Sequence, residues 1–480
     1  MRRFLPRPDS RSIDVGWDRT GTGVVAVLKK LSALLKGDGF SARATRGSII
    51  TFAGFAAQNL LRLGSPLILT RLLFPEAFGL MALVTMVLAG ISLFTDFGFR
   101  GAIVASERGD EPIFLNTAFT IQIIRGAILT LVLLLIAEPF ARFYEEPQLA
   151  ELMMLSAFVP FMHGFMSTRM ATASRELLLG RLTIINIAAQ AFGSVASILL
   201  AWWLESVWAI AIGGLLQTAA LVIMSHTVIP GIRNRLAIEW ASVKGLFNFG
   251  KYIFLATISY FFIAQGDKAV LGKYIPLDEF AYYNIGVSLA MVPWLFANGL
   301  NDAVVFPLFA RKPPSENESN RRRFNKARFG LTGFVATGTA VLALIGIPLV
   351  EFLYDPRYHS AGPILSLVAL AAMPRLITQT YEKLPLAAGH TGRYAFLMVS
   401  ASVVQFGLMV LAVQTYGLIG AICAPLLGWA LVYPMFVYFS RMYKGWSPLH
   451  DGFFAVFSAC VAALTLWLWQ DQLLPFFDVF

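Results

Sequence analysis

About a dozen apolar segments, each long enough to cross a lipid bilayer, constrain the fold of this chain more than any other feature. Crossing about 30 Å of hydrocarbon takes roughly 20 apolar residues in a helix. Hydrophobic residues make up 57% of the 480 and charged residues only 14%, which is more apolar surface than a soluble domain could bury. We predict membrane-spanning helices at 47–70, 79–99, 112–137, 149–169, 181–203, 206–229, 243–265, 280–305, 328–352, 361–388, 394–414 and 417–440.

The distribution of Lys and Arg over the intervening loops predicts the orientation in the membrane. Cytosolic loops of membrane proteins hold the excess of these residues. With a cytosolic N-terminus, most of the 38 Lys and Arg residues fall on the inside, above all in residues 1–45 and in the loop 306–327. The outside segments hold only Arg71, Arg142, Lys268, Lys273 and Arg357. A miscounted span would reverse this alternation, so the pattern supports both the count and the cytosolic N-terminus.

Both ends of the chain lie outside the twelve predicted spans. Residues 1–45 form a basic tail without a cleavable signal, and apolar residues at helical spacing over 24–35 predict a short helix lying on the membrane surface. Residues 441–480 form an extension in which 453–469 is apolar enough for a thirteenth span. Whether this last segment crosses is open, and a crossing would put the C-terminus outside.

The chain repeats itself weakly with an offset of about 200 residues, as the halves of transporters often do. Residues 64–78, for example, align with 266–280. We therefore predict an all-α polytopic membrane protein of twelve or thirteen spans, with an N-lobe at 46–235 and a C-lobe at 236–440. Because each lobe has six spans, both have the same orientation, and a central cavity is expected between them.

Several classes of function are excluded by what the sequence lacks. Its two cysteines, Cys423 and Cys460, and its five scattered histidines offer no disulfide framework and no metal-ligand spacing. There is no phosphate-binding glycine loop, and the predicted outside loops are too short for a catalytic domain, so we expect neither a cofactor nor enzymatic activity. The net charge of +10 is spread over many loops, which argues against a nucleic-acid partner.

Ionisable residues inside the predicted spans indicate where a transported ligand binds, because a charge in hydrocarbon is costly. Guanidinium groups donate hydrogen bonds in pairs and stay charged, so a cavity lined by them favours an anion, and phosphate in particular. The candidate anion-binding residues are Arg62, Arg125, Lys251, Arg375 and Lys383. The candidate polar lining of the same cavity is Gln58, Asn59, Gln122 and Gln379.

A structural role is the alternative for each of these cations. Arg62 and Arg125 could close buried salt bridges or reach lipid headgroups, and Arg375 has Glu382 on the same predicted helix face as a partner. Asp302 and Glu382 are candidates for an ion or proton site, although Asp302 lies close to the inner surface, where a carboxylate is easily solvated.

Three segments resemble the opening of Wzx-type oligosaccharide flippases, namely Arg46-Gly-Ser-Ile-Ile-Thr-Phe, Leu69-Thr-Arg-Leu-Leu-Phe-Pro-Glu-Ala-Phe-Gly-Leu and Phe94-Thr-Asp-Phe-Gly-Phe. A fourth, Asp267-Lys-Ala-Val-Leu-Gly-Lys-Tyr-Ile-Pro, is similar to the start of that family's second half. The resemblance covers about residues 46–440. These motifs belong to a superfamily that also includes multidrug exporters and the lipid II flippase.

The resemblance implies a V-shaped pair of lobes in the bacterial cytoplasmic (inner) membrane. By alternating access, such a protein turns a polyprenyl-diphosphate-linked oligosaccharide from the inner to the outer leaflet, for the synthesis of O-antigen, capsule or exopolysaccharide. The implied partners are this lipid-linked oligosaccharide, membrane lipids, a polysaccharide polymerase and a chain-length regulator.

Two other functions stay open at this point. A cation-coupled drug exporter of the same architecture would need a carboxylate at mid-membrane. A membrane enzyme acting on prenyl-linked sugars would need larger outside loops.

Overall fold

Helices account for all regular secondary structure in the described part of the chain. The computed structural model describes residues 40–94, 99–176, 178–301 and 305–477. The helices are α1 Phe40–Leu72, α2 Pro75–Phe94, α3 Phe99–Ala105, α4 Pro112–Tyr144, α5 Pro147–Ser156, α6 Phe158–Gly164, α7 Arg169–Arg175, α8 Leu179–Leu204, α9 Trp208–Thr227, α10 Trp240–Tyr274, α11 Leu277–Ala290, α12 Val292–Leu300, α13 Phe306–Arg311, α14 Glu318–Leu353, α15 Ala361–Gln379, α16 Leu384–Ala387, α17 Thr391–Met442, α18 Pro448–Leu468 and α19 Gln470–Leu473. Short 3₁₀ turns occur at Pro356–Tyr358 and Leu474–Phe477.

Within the described residues, the twelve predicted spans fall on helical segments, with breaks inside the fourth, eighth and tenth. Nine helical segments within the described ranges are long and apolar enough to cross a membrane, or ten if α5 to α7, which bend by 56°, form one broken span. These segments include α18 and not α1 or α10, and α17 is counted once although it folds back on itself, so the number is compatible with the predicted twelve. The predicted fold class, an all-α polytopic membrane protein, is confirmed.

The chain reverses direction at Gly417, where the sequence predicts a break between two spans. Gly417 has φ 55° and ψ −134°, a conformation that a residue with a Cβ rarely adopts. The two arms of α17 pack closely because small residues face the opposite backbone. A Cβ on Gly420 would lie 2.0 Å from the Ala412 carbonyl oxygen, and one on Gly428 would lie 3.3 Å from the Gln405 Cα.

The predicted tenth span, 361–388, falls on a stretch apolar enough to cross a membrane, Pro356–Ala387, but this stretch is not one continuous helix. In the structure α15 ends at Gln379, and a turn leads to the single-turn helix α16. Side chains from elsewhere hold this turn: the Arg328 Nε donates to the Thr380 hydroxyl at 3.1 Å, and the Tyr381 hydroxyl donates to Asp451 at 3.1 Å. The backbone of the turn still bonds locally, with the Glu382 amide donating to the Thr378 carbonyl at 2.9 Å, and the tertiary hydrogen bonds fix its side chains.

A helix also forms where the thirteenth apolar segment is predicted. Ser447 precedes it and Pro448 is its first residue, and proline at the first helical position costs no hydrogen bond. The helix, α18, is apolar enough to cross a membrane and packs on α14 and α15. It is therefore part of the second half of the protein, whereas its crossing stays a prediction.

The helices before residue 236 (the first half) and after it (the second half) meet mainly through α2, which packs on α10 and α11. They also meet at one end of the bundle, formed by the turns 73–74, 145–146, 275–276 and 354–360, which we call the joined end. There the Tyr358 hydroxyl donates to the Leu73 carbonyl at 2.8 Å, and the Lys273 ammonium lies 2.7 Å from the Glu145 carboxylate. The Arg357 guanidinium donates to the Arg71 carbonyl at 3.2 Å. The joined end thus connects the two halves by hydrogen bonds and charge.

The ion pairs at the joined end stay charged at neutral pH. The hydrogen bond from Lys273 lowers the pKa of Glu145, and the hydrogen bond from Arg357 lowers the pKa of Asp355. A carboxylate whose pKa is lowered by folding stabilises the folded state above its unfolded pKa, and this contribution is lost as the pH falls. Because these groups are largely solvated, each contribution is small.

The surface helix predicted at 24–35 and residue Asp302 lie outside the described residues.

We expect Gly420→Val to destabilise the α17 hairpin, because the new side chain would collide with the Ala412 backbone, which cannot move aside freely. Overpacking of this kind costs about 1–3 kcal/mol. Thermal unfolding of the detergent-solubilised protein measures the effect. The matched control is Gly407→Ala on the same helix, where nothing lies within 4 Å of the added Cβ. Equal melting temperatures for the two variants would contradict the close packing of the hairpin.

Candidate functional site

A cavity of about 290 Å³ lies between α1, α8 and α9. Its lining is almost entirely amide side chains with one cation, namely Gln58, Asn59, Arg62, Asn186, Gln190 and Gln217, together with Ala189 and Leu221. No carboxylate lines it. We call it the amide cavity.

Helical register explains how α1 presents these groups. Gln58 and Arg62 are four residues apart and so lie on one helix face, and Asn59 lies beside them. The Gln190 amide donates to the Gln58 backbone carbonyl at 3.0 Å, which ties α8 to α1 at the cavity wall. Arg62 is exposed to the cavity and makes no hydrogen bond or ion pair with the described part of the chain.

A second free cation, Lys268, was missed by the sequence analysis, which assigns it to an outside segment. The predicted span ends at 265, whereas α10 continues to Tyr274, so Lys268 lies inside the helix. It is half-buried, makes no hydrogen bond or ion pair within the described residues, and is close enough to the adjacent Asp267 and to Arg62 for their charges to interact. Asp267 accepts from the Tyr283 hydroxyl at 3.0 Å, and its other carboxylate oxygen is buried without a partner within the described residues. The repeated motif 266–280 contains Lys268, but only the observed end of α10 shows that it lies within the helix.

Arg125 and Gln122 lie away from the amide cavity. The Arg125 guanidinium donates to the Ser92 carbonyl at 2.8 Å, in the last turn of α2, where helix carbonyls lack partners. The Gln122 backbone packs against Gly164, where an added Cβ would lie 2.8 Å from the Gln122 carbonyl oxygen. The geometry therefore gives Arg125 a helix-capping contact.

Arg375 lines a smaller cavity, of about 40 Å³, in the second half of the protein. Its lining includes Arg375 and Thr378 on α15, Glu382 in the following turn, and Gln405 and Trp429 on the two arms of α17. The Arg375 guanidinium also lies over the Trp294 ring, 5.9 Å from its centroid. We call this the Arg375 cavity.

The remaining predicted site residues do not line either cavity. Gln379 is buried, donates to Asn298 at 3.0 Å, and its carbonyl accepts from Asn301 at 3.3 Å, so it connects α15 to the end of α12. Lys383 begins α16. The side chain of Lys251 lies outside what the structure describes.

The structure also contains a buried charge cluster that sequence reasoning did not find. We call it the Arg328 cluster, and its members are Arg328, Tyr381, Tyr433, Trp446, His450 and Asp451. Arg328 and His450 are fully buried, and the Arg328 guanidinium lies 3.3 Å from the Asp451 carboxylate. The same guanidinium donates to the Gly445 carbonyl at 2.7 Å.

The Arg328 cluster is fully hydrogen-bonded. His450 contacts the Asp451 carboxylate at 2.9 Å through Nδ1 and the Thr332 hydroxyl at 3.1 Å through Nε2. The Arg328 guanidinium also lies 4.6 Å from the Tyr381 ring centroid. The sequence offered one signal of this cluster, since Arg328 is the first residue of a predicted span. Its partners could not be identified because they lie on elements that are distant in sequence.

Comparison with known proteins agrees with this architecture. A family described as Polysaccharide biosynthesis protein matches residues 68–363. The teichuronic acid biosynthesis protein TuaB of Bacillus subtilis is 23% identical over 68% of this chain and 67% of its own length. The lipopolysaccharide biosynthesis protein WzxC of Escherichia coli is 24% identical over 65% of this chain, which spans 63% of that relative.

Solved structures share the fold at low sequence identity. The lipid II flippase MurJ in an inward closed conformation has a TM-score of 0.67 at 14% identity, covering 90% of this chain and 97% of its own. A multidrug resistance MATE family transporter of the MOP superfamily in an inward-facing conformation has a TM-score of 0.61 at 15% identity, covering 81% and 94%.

The helices define an all-α, multi-pass membrane protein that shares the fold of these two solved structures, and the predicted fold class is confirmed. By its sequence, the chain belongs to the polysaccharide biosynthesis protein family. The predicted resemblance to polysaccharide flippases is confirmed at this level.

We expect Arg328→Gln to destabilise the protein strongly, because it leaves the Asp451 carboxylate buried without its cation. Breaking a buried ion pair in this way costs about 3–5 kcal/mol in the free energy of unfolding. The matched control is Arg323→Gln on the exposed start of the same helix. Unfolding titrations of both variants measure the difference, and similar midpoints would mean that the cluster contributes little to stability.

Proposed function

We propose that this protein is a flippase for a polyprenyl-diphosphate-linked oligosaccharide and that Arg62 and Lys268 bind the diphosphate. The observation that carries the proposal is that both cations lie within helices, α1 and α10, and make no hydrogen bond or ion pair in the described part of the chain. A charge inside a membrane is costly unless a counter-charge or water solvates it. Two free cations close together therefore favour a dianionic ligand.

The other deep cations support this assignment by contrast. Arg125 is bonded to a helix carbonyl, and Arg328 is paired with Asp451. Their charges are already accommodated by the protein. Arg62 and Lys268 come from α1 and α10, so a diphosphate between them would contact both halves at once.

The amide cavity supports recognition of sugar. Amide groups carry both a donor and an acceptor, and so match hydroxyl groups, which also donate and accept. Gln58, Asn59 and Gln217 would contact sugar hydroxyls beside the diphosphate, while the prenyl chain stays in lipid. The absence of a carboxylate among the lining residues disfavours a cationic drug as substrate.

The charge distribution of the loops supports a cytosolic N-terminus, which puts the joined end on the outside. The N-lobe at 46–235 and the C-lobe at 236–440 would then be closed outward and open inward, ready to receive substrate from the inner leaflet. Transport requires the joined end to separate. Outward movement of each anionic charge is favoured by about 2.3 kcal/mol per 100 mV of inside-negative potential.

The protein would act in the bacterial cytoplasmic membrane without catalysing a covalent reaction. Its product, a lipid-linked repeat on the outer leaflet, is the substrate that a polysaccharide polymerase and a chain-length regulator require. Those two proteins are therefore the partners that we propose.

We expect Arg62→Ala and Lys268→Ala each to reduce translocation of a lipid-linked oligosaccharide in proteoliposomes by about tenfold or more. Each variant loses charged hydrogen bonds to the diphosphate, and such bonds contribute about 1.5–3 kcal/mol. Arg62→Lys should retain part of the activity because it keeps the charge.

Arg142→Ala is the control, since that side chain is exposed and pairs only with Glu138 within α4. Membrane insertion and melting temperature should be unchanged in all variants. Wild-type transport in both Arg62→Ala and Lys268→Ala would refute the anion site.

A cross-link across the joined end should stop transport, because alternating access requires the two halves to separate there. Glu145→Cys and Lys273→Cys replace a pair that already lies in contact. The background replaces Cys423 and Cys460 by Ala. A short bismaleimide should abolish transport only in the double variant, with each single variant as control. Continued turnover after complete cross-linking would exclude opening at this end.

A further inference from the structure

The Arg328 cluster is connected to two walls of the Arg375 cavity. At its centre, one oxygen of the Asp451 carboxylate accepts hydrogen bonds from Tyr381 at 3.1 Å, Tyr433 at 2.9 Å and Trp446 at 3.1 Å. These donors come from three separate parts of the chain. Asp451 itself belongs to α18, in the extension beyond the twelve predicted spans.

The first connection runs through the turn after α15. Tyr381 is held by Asp451, and the preceding Thr380 accepts from Arg328. The next residue, Glu382, lines the Arg375 cavity. The cluster therefore holds the side chains of the two residues that precede Glu382 in the turn.

The second connection runs through α17. The Tyr433 ring packs on the Trp429 ring with 4.9 Å between centroids, and the Trp429 indole donates to the Thr378 hydroxyl at 3.1 Å. Trp429 and Thr378 both line the cavity beside Arg375. A shift of Tyr433 would be transmitted to this wall through one ring contact and one hydrogen bond.

We propose that Asp451 is a positioning residue for the Arg375 cavity, so that the C-terminal helix α18 takes part in transport by setting the shape of that cavity. The inference rests on the proposed function for its transport measurement. It does not require the substrate to touch Asp451.

The bonding of Asp451 supports positioning and not ligand binding. Its carboxylate receives five contacts, from Arg328, His450, Tyr381, Tyr433 and Trp446, and its exposed fraction is 5%. A carboxylate has about four lone-pair positions, so no acceptor capacity is left for a transported group. A network satisfied to this degree rigidifies its surroundings.

The test uses a reporter cysteine in the cavity wall, Gln405→Cys, in a background without Cys423 and Cys460. The rate of its labelling by a small methanethiosulfonate reagent measures access to the cavity and requires no transport. We expect Tyr433→Phe to change this labelling rate about threefold to tenfold, which is the effect of losing one hydrogen bond that holds the cavity wall in place. Tyr438→Phe, exposed on the same arm of α17, should leave it unchanged.

Transport of a lipid-linked oligosaccharide provides the second measurement, in a double-mutant cycle. Tyr433→Phe should reduce transport about threefold to tenfold when Arg375 is present and much less in an Arg375→Ala background, because both changes act on one cavity. Additive effects would overturn the proposal. The proposal would also be overturned if Arg375→Ala loses transport while Tyr433→Phe transports at the wild-type rate.

Failure of this inference can be told apart from failure of the proposed function. If the wild type moves no lipid-linked sugar, the proposed function fails, and the labelling rate alone decides the positioning role. If Tyr433→Phe and Tyr381→Phe both lower the melting temperature while labelling of the Gln405→Cys reporter stays constant, the cluster is only a structural anchor and the proposal is wrong. Asp451→Asn, where it folds, should show the larger change in labelling rate.

Discussion

Hydrocarbon solvates neither a charge nor a free peptide group, and this one property of the bilayer governs the whole structure. It requires the backbone to be helical, since a helix satisfies its own hydrogen bonds. It also requires every deep side-chain charge to find a partner. In Arg328 that partner is Asp451, and in Arg125 it is the carbonyl of Ser92. Arg62 and Lys268 make no hydrogen bond or ion pair within the described chain, and this is why we propose them as the place for an anionic ligand.

The same kind of side chain therefore serves two different purposes in this protein. Arg328 is enclosed by aromatic rings, a histidine and a carboxylate, and its charge is used to hold α14 and α18 together. Arg62 faces amide groups across an open cavity, where nothing competes for its donors. The two arginines differ in the side chains that surround them after packing. Their positions in the sequence alone do not distinguish them.

The prediction of helices was accurate where local pattern decides the outcome. Apolar length located the spans and the short turn at 414–417, and register put Gln58 and Arg62 on one face. Details that pattern did not predict depend on distant residues or on charged helix turns. The span 361–388 contains a turn after Gln379, whose side chains bond to Arg328 and Asp451. Lys268 was assigned to a loop because apolar length underestimated α10, whose last turns carry charge.

The sequence by itself determined the membrane class, the approximate spans and the family, because hydropathy, helical periodicity and short motifs are local properties of the chain. Only the tertiary structure decided which deep charges are paired and which are free. The Arg328 guanidinium and the Asp451 carboxylate are 123 residues apart in the chain and 3.3 Å apart in space. No local pattern encodes such a contact, since it exists only after α14 and α18 have packed together, and the free cations are recognised only once all such pairs are known.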